Sequence, residues 1–396
     1  MFGAIYIGLS GLNAYSRGLQ EVSNNVTNLN TSGFKGTNVN FQNYFGAGDT
    51  GGLSYTVDSR ASGNGVGLGD SLLDLKQGEL RQTDRDLDIA VSGAGFLVLI
   101  DGNDTVYART GNFEVDKEGF IVLSGTNYRL ATLEPGSNHP VSLSIDGKRT
   151  SDPKATTLVK FSANLSSTIT TAYAVSDIKV YNATGEQQVW KASFAKKTGQ
   201  GVPAGTFTMT ITDALGGAVA TADIGFDTAG RILDASKSVA ITRTGGFAMT
   251  FDFSGASSFS GGDLSDLRAA STDGYGVGTA TTVAVNAKGQ LEISYSNEQK
   301  LALGAVALAD FRDTGGIKQR SGGIFAYEGS GERLLTTSDD PRLGQVLSRR
   351  LEASNVDLSK QFGDLILIQR GFQASSQIVS VSNDMIQQLF GIRGQG

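Results

Sequence analysis

Residues 351–390 read LEASNVDLSKQFGDLILIQRGFQASSQIVSVSNDMIQQLF. Every seventh position of this stretch is apolar, and a partial second row follows three or four residues behind the first. The first row consists of Leu351, Leu358, Leu365, Phe372, Val379 and Ile386. A sustained seven-residue apolar period is typical of a helix that winds against another helix. The stretch therefore predicts a C-terminal helix with a packing seam along this row.

The opposite face of the same stretch is polar but nearly uncharged. From Phe362 to Phe390 the charged residues are Asp364, Arg370 and Asp384, and most other polar positions carry Gln or Ser. A freely solvated helix usually carries Lys, Glu and Arg on that face. Neutral amides and hydroxyls favour a helix packed among copies of itself, or one that lines a confined aqueous channel.

The N-terminus repeats the seven-residue pattern. Its row consists of Ile5, Leu12, Leu19 and Val26. Two matching stripes predict that the chain ends meet as a coiled coil, with the rest of the chain carried between them. The two rows together form the predicted assembly seam. An ordinary pair of surface helices docked on a globular core is the alternative, which the steady register of both stripes disfavours.

Composition bounds the class of protein. A chain of 396 residues has room for two or three domains. Its 33 basic and 39 acidic residues give a net charge of −6, without a basic block, which argues against nucleic-acid or anionic-membrane binding. The chain contains 0 cysteines, so disulfides and thiolate metal sites are excluded.

No cleaved Sec signal is expected, because the N-terminus lacks a basic segment followed by a compact apolar run and a small-residue cleavage site. No apolar run of the sequence approaches the length that spans a bilayer, so membrane insertion is not expected either. Export from the cytoplasm would therefore use another route.

Between the termini, from about Ser71 to about residue 340, apolar residues recur with a period of two. One turn pattern repeats there, in which Asp or Asn is followed three positions later by Gly. It occurs at residues 116–119, 182–185, 227–230 and 286–289. The pattern predicts a type I turn followed by a left-handed Gly, which is a common hairpin loop. We therefore expect a β body built from hairpins.

The predicted fold is mainly β with α-helical termini, and the terminal helices form a coiled coil. Because residues 147–270 are rich in Thr, Ser, Ala and Gly, we expect an outer β-domain inserted into an inner β-domain built from two chain segments. The predicted parts are terminal helices at 1–30 and 353–396, an extended connector at 31–70, the inner domain at 71–146 and 271–352, and the outer domain at 147–270.

The sequence carries no recognisable catalytic or metal-binding motif. His139 is the single histidine and lies beside Pro140 in a predicted loop, whereas a metal site needs several convergent ligands. The acidic run at 84–88 begins like an EF-hand loop, but Ile89 and Gly95 occupy the positions that need Gly and an acidic residue. Walker A, dinucleotide-binding and nucleophile-elbow motifs are missing. We predict a protein that is not an enzyme and holds no cofactor or metal.

The segment that follows the first apolar row is rich in Asn and ends in Gly-Phe-Lys. Its residues Asn24, Asn25, Asn28, Thr31, Gly33 and Phe34 resemble the N-terminal signature of the axial proteins of the bacterial flagellum. The stretches 75–80, 87–96 and 107–111 resemble the inner β-domain of that family, and 295–299 and 351–360 resemble its hook proteins. One departure is Gly371, where the family usually has a bulkier residue; it indicates close helix approach or local bending.

The resemblance implies a structural subunit of the flagellar hook, polymerising into a curved flexible tube that passes motor torque to the filament as a universal joint. It implies a homopolymer that meets distal rod, hook cap and hook–filament junction proteins. Export would use the flagellar type III apparatus, and the expected location is the hook and basal body, outside the cell. A distal rod-type axial protein is the near alternative, and a carbohydrate-binding or hydrolytic β protein is the distant one.

Overall fold

The computed structural model describes residues 2–43, 65–69, 71–134, 137, 139–242, 248–338, 340 and 342–393. The protein is mainly β with one long helix at each terminus, α1 (Phe2–Thr27) and α2 (Leu358–Arg393), and these two helices pack together. This confirms the predicted fold class of a β body with helical termini. Most of the predicted connector, residues 44–64 and 70, lies outside the described residues.

The strands alternate along the chain with short turns. The first group is β1 (Thr37–Asn38), β2 (Phe41–Asn43), β3 (Val66–Leu68), β4 (Leu72–Leu73), β5 (Leu80–Gln82), β6 (Asp88–Ser92), β7 (Phe96–Asp101), β8 (Asp104–Ala108), β9 (Thr110–Val115), β10 (Ile121–Leu123), β11 (Arg129–Leu133) and β12 (Val141–Ser142). The second is β13 (Thr150–Ser151), β14 (Leu158–Asn164), β15 (Tyr173–Tyr181), β16 (Gln187–Lys196), β17 (Thr206–Thr212), β18 (Ala218–Gly225), β19 (Ser238–Thr242), β20 (Ala248–Ser257) and β21 (Arg268–Thr272). The third is β22 (Gly278–Val285), β23 (Gln290–Tyr295), β24 (Lys300–Phe311), β25 (Ile317–Gln319), β26 (Ile324–Tyr327), β27 (Arg333–Thr337), β28 (Gln345–Ser348) and β29 (Arg350–Glu352). Short 3₁₀ turns lie at Asp234–Ser236, Thr314–Gly316 and Ser321–Gly323.

The chain divides into two compact units, each built from separated segments. Unit 1 comprises Met1–Asp146, Val283–Ile293 and Leu301–Gly396, and so includes both terminal helices. Unit 2 comprises Gly147–Thr282 and Ser294–Lys300. The finer division into helices, connector, inner domain and outer domain stays a prediction.

Unit 2 contains two four-stranded sheets that share one apolar core. One sheet has the order β15-β16-β17-β18 and the other β19-β20-β14-β21. Alternate side chains of the strands point into the core, as in β17, whose Phe207, Met209 and Ile211 are all buried. Trp190, the single tryptophan of the sequence, is 1% exposed in the same core. This inward alternation is typical of a sheet with one buried face.

One strand pair of unit 2 departs from the predicted hairpin architecture. β14 lies parallel to β20 and antiparallel to β21, with a register shift between Lys160 and Ser162 on the parallel side. A parallel pair needs a long crossover, which the chain between these two strands supplies. Turn signals describe only neighbouring strands, so the hairpin pattern of the sequence could not predict this pairing.

Unit 1 carries its own apolar core around strands β7, β8 and β24. The aromatic rings of Phe96, Tyr107, Phe311 and Phe325 meet edge to face there, with centroid separations between 4.7 and 5.5 Å. Edge-to-face aromatic pairs are favourable beyond the area that they bury. A second cluster in the same unit packs the opposite faces of these strands, with Leu97 and Leu308 completely buried.

All four predicted turns form with their glycines in the left-handed region. The φ angles of Gly119, Gly185, Gly230 and Gly289 are 81°, 82°, 74° and 70°. In each turn the glycine N–H donates to the carbonyl of the Asp or Asn three positions earlier, at 2.9–3.2 Å. The turn predictions are therefore confirmed.

The C-terminal helix starts later than the apolar row that predicted it. Leu351, the first residue of that row, lies in β29, which pairs with β5. The helix begins after Asp357, whose carboxylate Oδ1 accepts the backbone N–H groups of Ser359 at 2.8 Å and Lys360 at 3.2 Å. This N-cap satisfies two of the free donors of the first turn and fixes the start of α2 at Leu358.

Candidate functional site

The two terminal helices pack against each other through small and polar residues. We call this contact the inner seam. Its α1 residues are Gly8, Gly11, Ala14, Gly18, Val22 and Asn25, and its α2 residues are Gln361, Ile368, Gly371, Ser375 and Ser382. All of these residues are buried except Gly371, which is partly buried. Small side chains on facing helices allow the two backbones to approach closely.

The glycines of α1 set how closely α2 approaches. A Cβ atom at Gly11 would lie 2.5 Å from Ser375 Oγ, and one at Gly8 would lie 2.7 Å from Val379 Cγ2. Both separations are shorter than normal contacts, so a larger residue at either position would push the helices apart. Gly8 and Gly11 are therefore required by packing, even though glycine costs helix stability.

Gly371 has the same role on the other helix. A Cβ atom there would lie 2.4 Å from the ring of Tyr15, which lies across α2 at this point. The Tyr15 ring also packs against Phe41 of β2, with centroids 5.1 Å apart. Of the two explanations open from the sequence, close helix approach is the one that the structure supports.

A polar network closes the end of the inner seam nearest the β strands. Asn25 Nδ2 donates to Gln361 Oε1 at 3.0 Å and to the carbonyl of Thr37 at 2.8 Å. The Thr37 N–H donates back to Asn25 Oδ1 at 3.0 Å. A buried polar pair within a helix seam favours one register, because any slip leaves its groups unsatisfied.

Many large apolar side chains of both helices lie outside the inner seam and are exposed. We call them the outer apolar face. They are Tyr6, Ile7, Leu9 and Leu19 of α1, and Leu358, Phe362, Ile366, Leu367, Phe372, Ile378, Val381, Met385, Leu389 and Phe390 of α2. Their exposed fractions reach 69% at Leu367. Exposed apolar surface of this extent is typical of an interaction site.

The residues of the predicted assembly seam lie beside the inner seam rather than at its centre. Partly buried members are Ile5, Leu12, Val26, Leu365, Val379 and Ile386, and Leu351 is partly buried in β29. Leu19, Leu358 and Phe372 are exposed. The inner seam was not predicted from the sequence, because its glycines and serines do not form an apolar pattern. The sequence feature that could have indicated it is a second seven-residue row, formed by Gln361, Ile368, Ser375 and Ser382.

The Asn-rich signature residues close the turn after α1. Asn28 Nδ2 donates to the carbonyl and to the side chain of Asn24, at 2.9 and 3.0 Å, and Thr31 Oγ1 donates to Asn28 Oδ1 at 3.1 Å. Gly33 has a φ of 71°, and a Cβ there would lie 3.0 Å from Thr110. Phe34 is buried directly after it. These residues direct the chain from the helix into the β strands.

A buried ion cluster follows this turn. The Lys35 ammonium lies 2.6 Å from Glu352 Oε1, and both side chains are 0% exposed. Arg109 Nε lies 3.2 Å from Glu352 Oε2 and is equally buried. The two cations also donate to the backbone carbonyls of Lys76, Gly93 and Gly95. Every charge of the cluster thus has a partner, as burial requires.

Burial lowers the pKa of Lys35 below its ordinary value, and the adjacent Glu352 carboxylate opposes part of that shift. Burial also lowers the pKa of Arg109, again against the effect of Glu352. Desolvation dominates in both cases because the cations are removed from water. The cluster is held by geometry that offsets a considerable solvation cost.

The described residues contain no other group with the features of a reactive centre. His139 is exposed in its loop. Within the described ranges, no three acidic or histidine side chains converge to hold a metal ion. Neither long helix, over the part that is described, has an apolar stretch suited to crossing a membrane. The helix pair and the ion cluster are therefore the candidate functional features.

Comparisons with known proteins agree with this emphasis on the chain ends. Residues 5–35 match the family described as "Flagella basal body rod protein", and residues 347–392 match "Flagellar basal body rod FlgEFG protein C-terminal". The flagellar hook protein FlgE of Salmonella typhimurium is 30% identical, and the alignment covers 97% of this chain and 98% of that protein. The chain belongs to the flagellar hook protein family.

Further relatives extend this result. The flagellar hook protein FlgE of Treponema pallidum is 25% identical, over 99% of this chain and all of that protein. A crystal structure of the Helicobacter pylori flagellar hook protein FlgE2 aligns with 69% of this chain and 99% of its own, at a TM-score of 0.47 and 12% identity. The curated relatives show that the chain is a structural component of the flagellar hook, which confirms the hook prediction.

Proposed function

We propose that hook subunits of this chain assemble with one another through the outer apolar face of the terminal helices. The observation that carries the proposal is the difference in composition between the inner seam and the outer apolar face. Contact between α1 and α2 within one chain uses mostly Gly, Ala, Ser and amide side chains, and leaves many large apolar side chains exposed. In a polymer built from one subunit, further copies of the same helices are the natural cover for that face.

The free energy available is large. Burying one Leu, Ile or Phe side chain contributes about 1.5–3 kcal/mol. Residues such as Leu367, Met385 and Leu389 recur along α2 at helical spacing and are all more than half exposed. Their burial between subunits would offset the entropy lost on assembly. The predicted seam residues Leu365, Val379 and Ile386, already partly buried, would border the new contacts and extend the pair into a coiled coil of several helices.

We also propose that the neutral polar face of α2 lines a channel through the polymer. Exposed amide and hydroxyl side chains there are Gln369, Gln373, Ser376, Gln377, Ser380, Gln387 and Gln388. A surface with few charges would hold a passing unfolded chain only weakly, which suits a route for exported subunits. This agrees with export through the flagellar type III apparatus to a site outside the cell.

On this proposal the terminal helices form the fixed inner wall of a curved flexible tube that passes torque from motor to filament. Unit 2 would supply the outer, more polar contacts, which form and break as the tube bends. Distal rod, hook cap and hook–filament junction proteins would meet the two ends of the tube. Both chain ends and the inner β-domain would then act as the load-bearing part of each subunit.

Charge substitutions on α2 test the assembly proposal. Leu367→Asp and Phe372→Asp place a carboxylate on the outer apolar face, where burial between subunits would cost several kcal/mol per contact. We expect both variants to stay folded as monomers and to form no tubes by electron microscopy. Gln373→Asp is the matched control, because it adds the same charge to an exposed polar position of the same helix and should polymerise.

Two results would refute the proposal. Normal tubes from Leu367→Asp would show that the outer apolar face is not a subunit contact. A monomer melting temperature that falls by several degrees in Phe372→Asp would show that this face is docked within its own chain.

A further inference from the structure

One carboxylate lies where both chain ends enter the β strands of unit 1. Glu352 precedes α2 in the chain, and Lys35 follows α1. The Oε1 atom of Glu352 accepts from Lys35 Nζ at 2.6 Å and from the Gly78 N–H at 2.8 Å. Its Oε2 atom accepts from Arg109 Nε at 3.2 Å. The side chain therefore bonds the segment after α1 and two parts of the β structure.

The backbone of the same residue adds two further contacts. The Glu352 N–H donates to Thr110 Oγ1 at 3.1 Å, and its carbonyl accepts the Gly33 N–H at 2.8 Å. Arg109 continues the connection, since its guanidinium also bonds the carbonyls of Gly93 and Gly95. Residues more than 200 positions apart in the sequence thus converge on a single buried residue.

We propose that Glu352, held between Lys35 and Arg109, is the mechanical joint through which load on the terminal helices passes into the β strands of unit 1. The inference rests on the proposed assembly, because load reaches this joint only if the helices are the contacts between subunits. Glu352 acts as a positioning residue that fastens both helices at one point.

The physical argument is that both chain ends share the same partner. A pull on α2 acts on Glu352 directly, and a pull on α1 acts on it through Gly33 and Lys35. Separation of either end therefore begins by parting the carboxylate from the two cations while all three groups are still buried in the joint. Breaking a buried ion pair leaves an uncompensated charge in a medium where water cannot screen it. Exposed ion pairs lack this resistance, because water replaces their partners.

The experiment is single-molecule pulling on the monomer. The chain has 0 cysteines, so Ser376→Cys in α2 and Asn103→Cys in the β7–β8 turn, both exposed positions, provide unique attachment points. We expect the first rupture to separate the segment before α2 from the β strands of unit 1. In Glu352→Gln and Lys35→Met we expect its rate at a given force to rise by at least about tenfold.

Arg81→Met is the matched control. Arg81 lies opposite Leu351 in the β5–β29 pair and forms an exposed ion pair with Glu79, at 3.3 Å. Its loss removes an ion pair at almost the same place in the chain, but one that water screens. We expect the first rupture to be unchanged in this variant.

Folding of unit 1 before load is monitored independently by amide exchange of its core strands β7 and β24, which carry the buried Leu97 and Leu308. An unchanged first rupture in Glu352→Gln would overturn the joint. Loss of the first rupture altogether, with unit 1 already unfolded before load, would also overturn it, because the cluster would then be a general folding element. These outcomes concern monomers, so they are distinguishable from a failure of Leu367→Asp to block polymerisation.

Discussion

Unit 2 buries most of its large apolar side chains, whereas the terminal helix pair exposes many of its own. In unit 2, Phe161, Phe194, Phe207 and Phe251 are no more than 1% exposed. In the helix pair, residues of comparable size lie at the surface, and the contact between the helices is rich in Gly, Ala and Ser. A region that buries its own apolar surface is stable alone, whereas one that exposes it depends on neighbours. The comparison separates the region that is stable alone from the region that we propose joins subunits.

The largest effect is expected for a substitution in the apolar core of unit 2. Phe194→Ala removes a fully buried ring that packs against Phe161 and Phe253. We expect the free energy of unfolding of unit 2 to fall by about 3–5 kcal/mol. Denaturant titration followed by Trp190 fluorescence measures it. Amide exchange in α1 and α2 should stay unchanged, and faster exchange there would break the separation between the two regions.

A smaller effect tests the inner seam. Gly371→Ala places a Cβ atom 2.4 Å from the Tyr15 ring, so the gain of about 1 kcal/mol in helix propensity is outweighed by overpacking of about 1–3 kcal/mol. We expect faster amide exchange along both helices. Gly363→Ala is the control, because nothing lies within 4 Å of its Cβ. That variant should slow exchange in α2; equal behaviour of the two would contradict the close approach of the helices.

The third prediction concerns a polar contact of unit 2. Burial raises the pKa of the Asp273 carboxyl, but hydrogen bonds from the Thr157 hydroxyl and from the N–H groups of Leu158 and Thr157 lower it more, from 3.8 to about 2. A shift of this size corresponds to about 2 kcal/mol. Because the folded-state pKa is depressed, this stability is present above pH 3.8 and disappears as the pH falls towards 2.

Asp273→Asn should accordingly destabilise unit 2 by about 2 kcal/mol at pH 7 and by much less near pH 2. Urea titrations of wild type and variant across this range measure the difference. A difference that stays constant with pH would contradict the ionised carboxylate as its source.

The smallest effect is expected at His139. The residue is exposed in a loop of unit 1, outside both the apolar core and the helix pair. His139→Ala should change the free energy of unfolding by no more than about 0.5 kcal/mol and leave assembly intact. A larger loss in thermal melting would indicate a function that neither region of the comparison accounts for.

Sequence patterns predicted the features that depend on neighbouring residues. The turn glycines were predictable because Asp or Asn and Gly fix a hairpin loop within four residues. The helical termini were predictable because apolar residues keep a seven-residue period. Leu351 fits the seven-residue period only by chance, because it lies in strand β29. The helix starts after it, at the Asp357 cap.

Features that depend on distant residues were not predictable. Lys35 and Glu352 lie 317 positions apart, and nothing local marks either as buried. The parallel strands β14 and β20 are likewise far apart in the sequence, because strands β15 to β19 lie between them. Gly11 and Ser375 do not contribute to an apolar pattern, so the sequence indicated the larger residues beside the inner seam and not the inner seam itself. That those larger residues join subunits stays a prediction.

The central claim is that the outer apolar face is free in the monomer and covered in the polymer. Alkylation of single introduced cysteines tests it directly, because the chain has 0 of its own. In the monomer, Leu367→Cys and Met385→Cys should react nearly as fast as Leu215→Cys, whose position is 97% exposed, and Ser375→Cys in the inner seam should react slowly. In assembled tubes we expect positions 367 and 385 to become as slow as position 375. If they react equally fast in monomer and tube, the outer apolar face is not the contact between subunits.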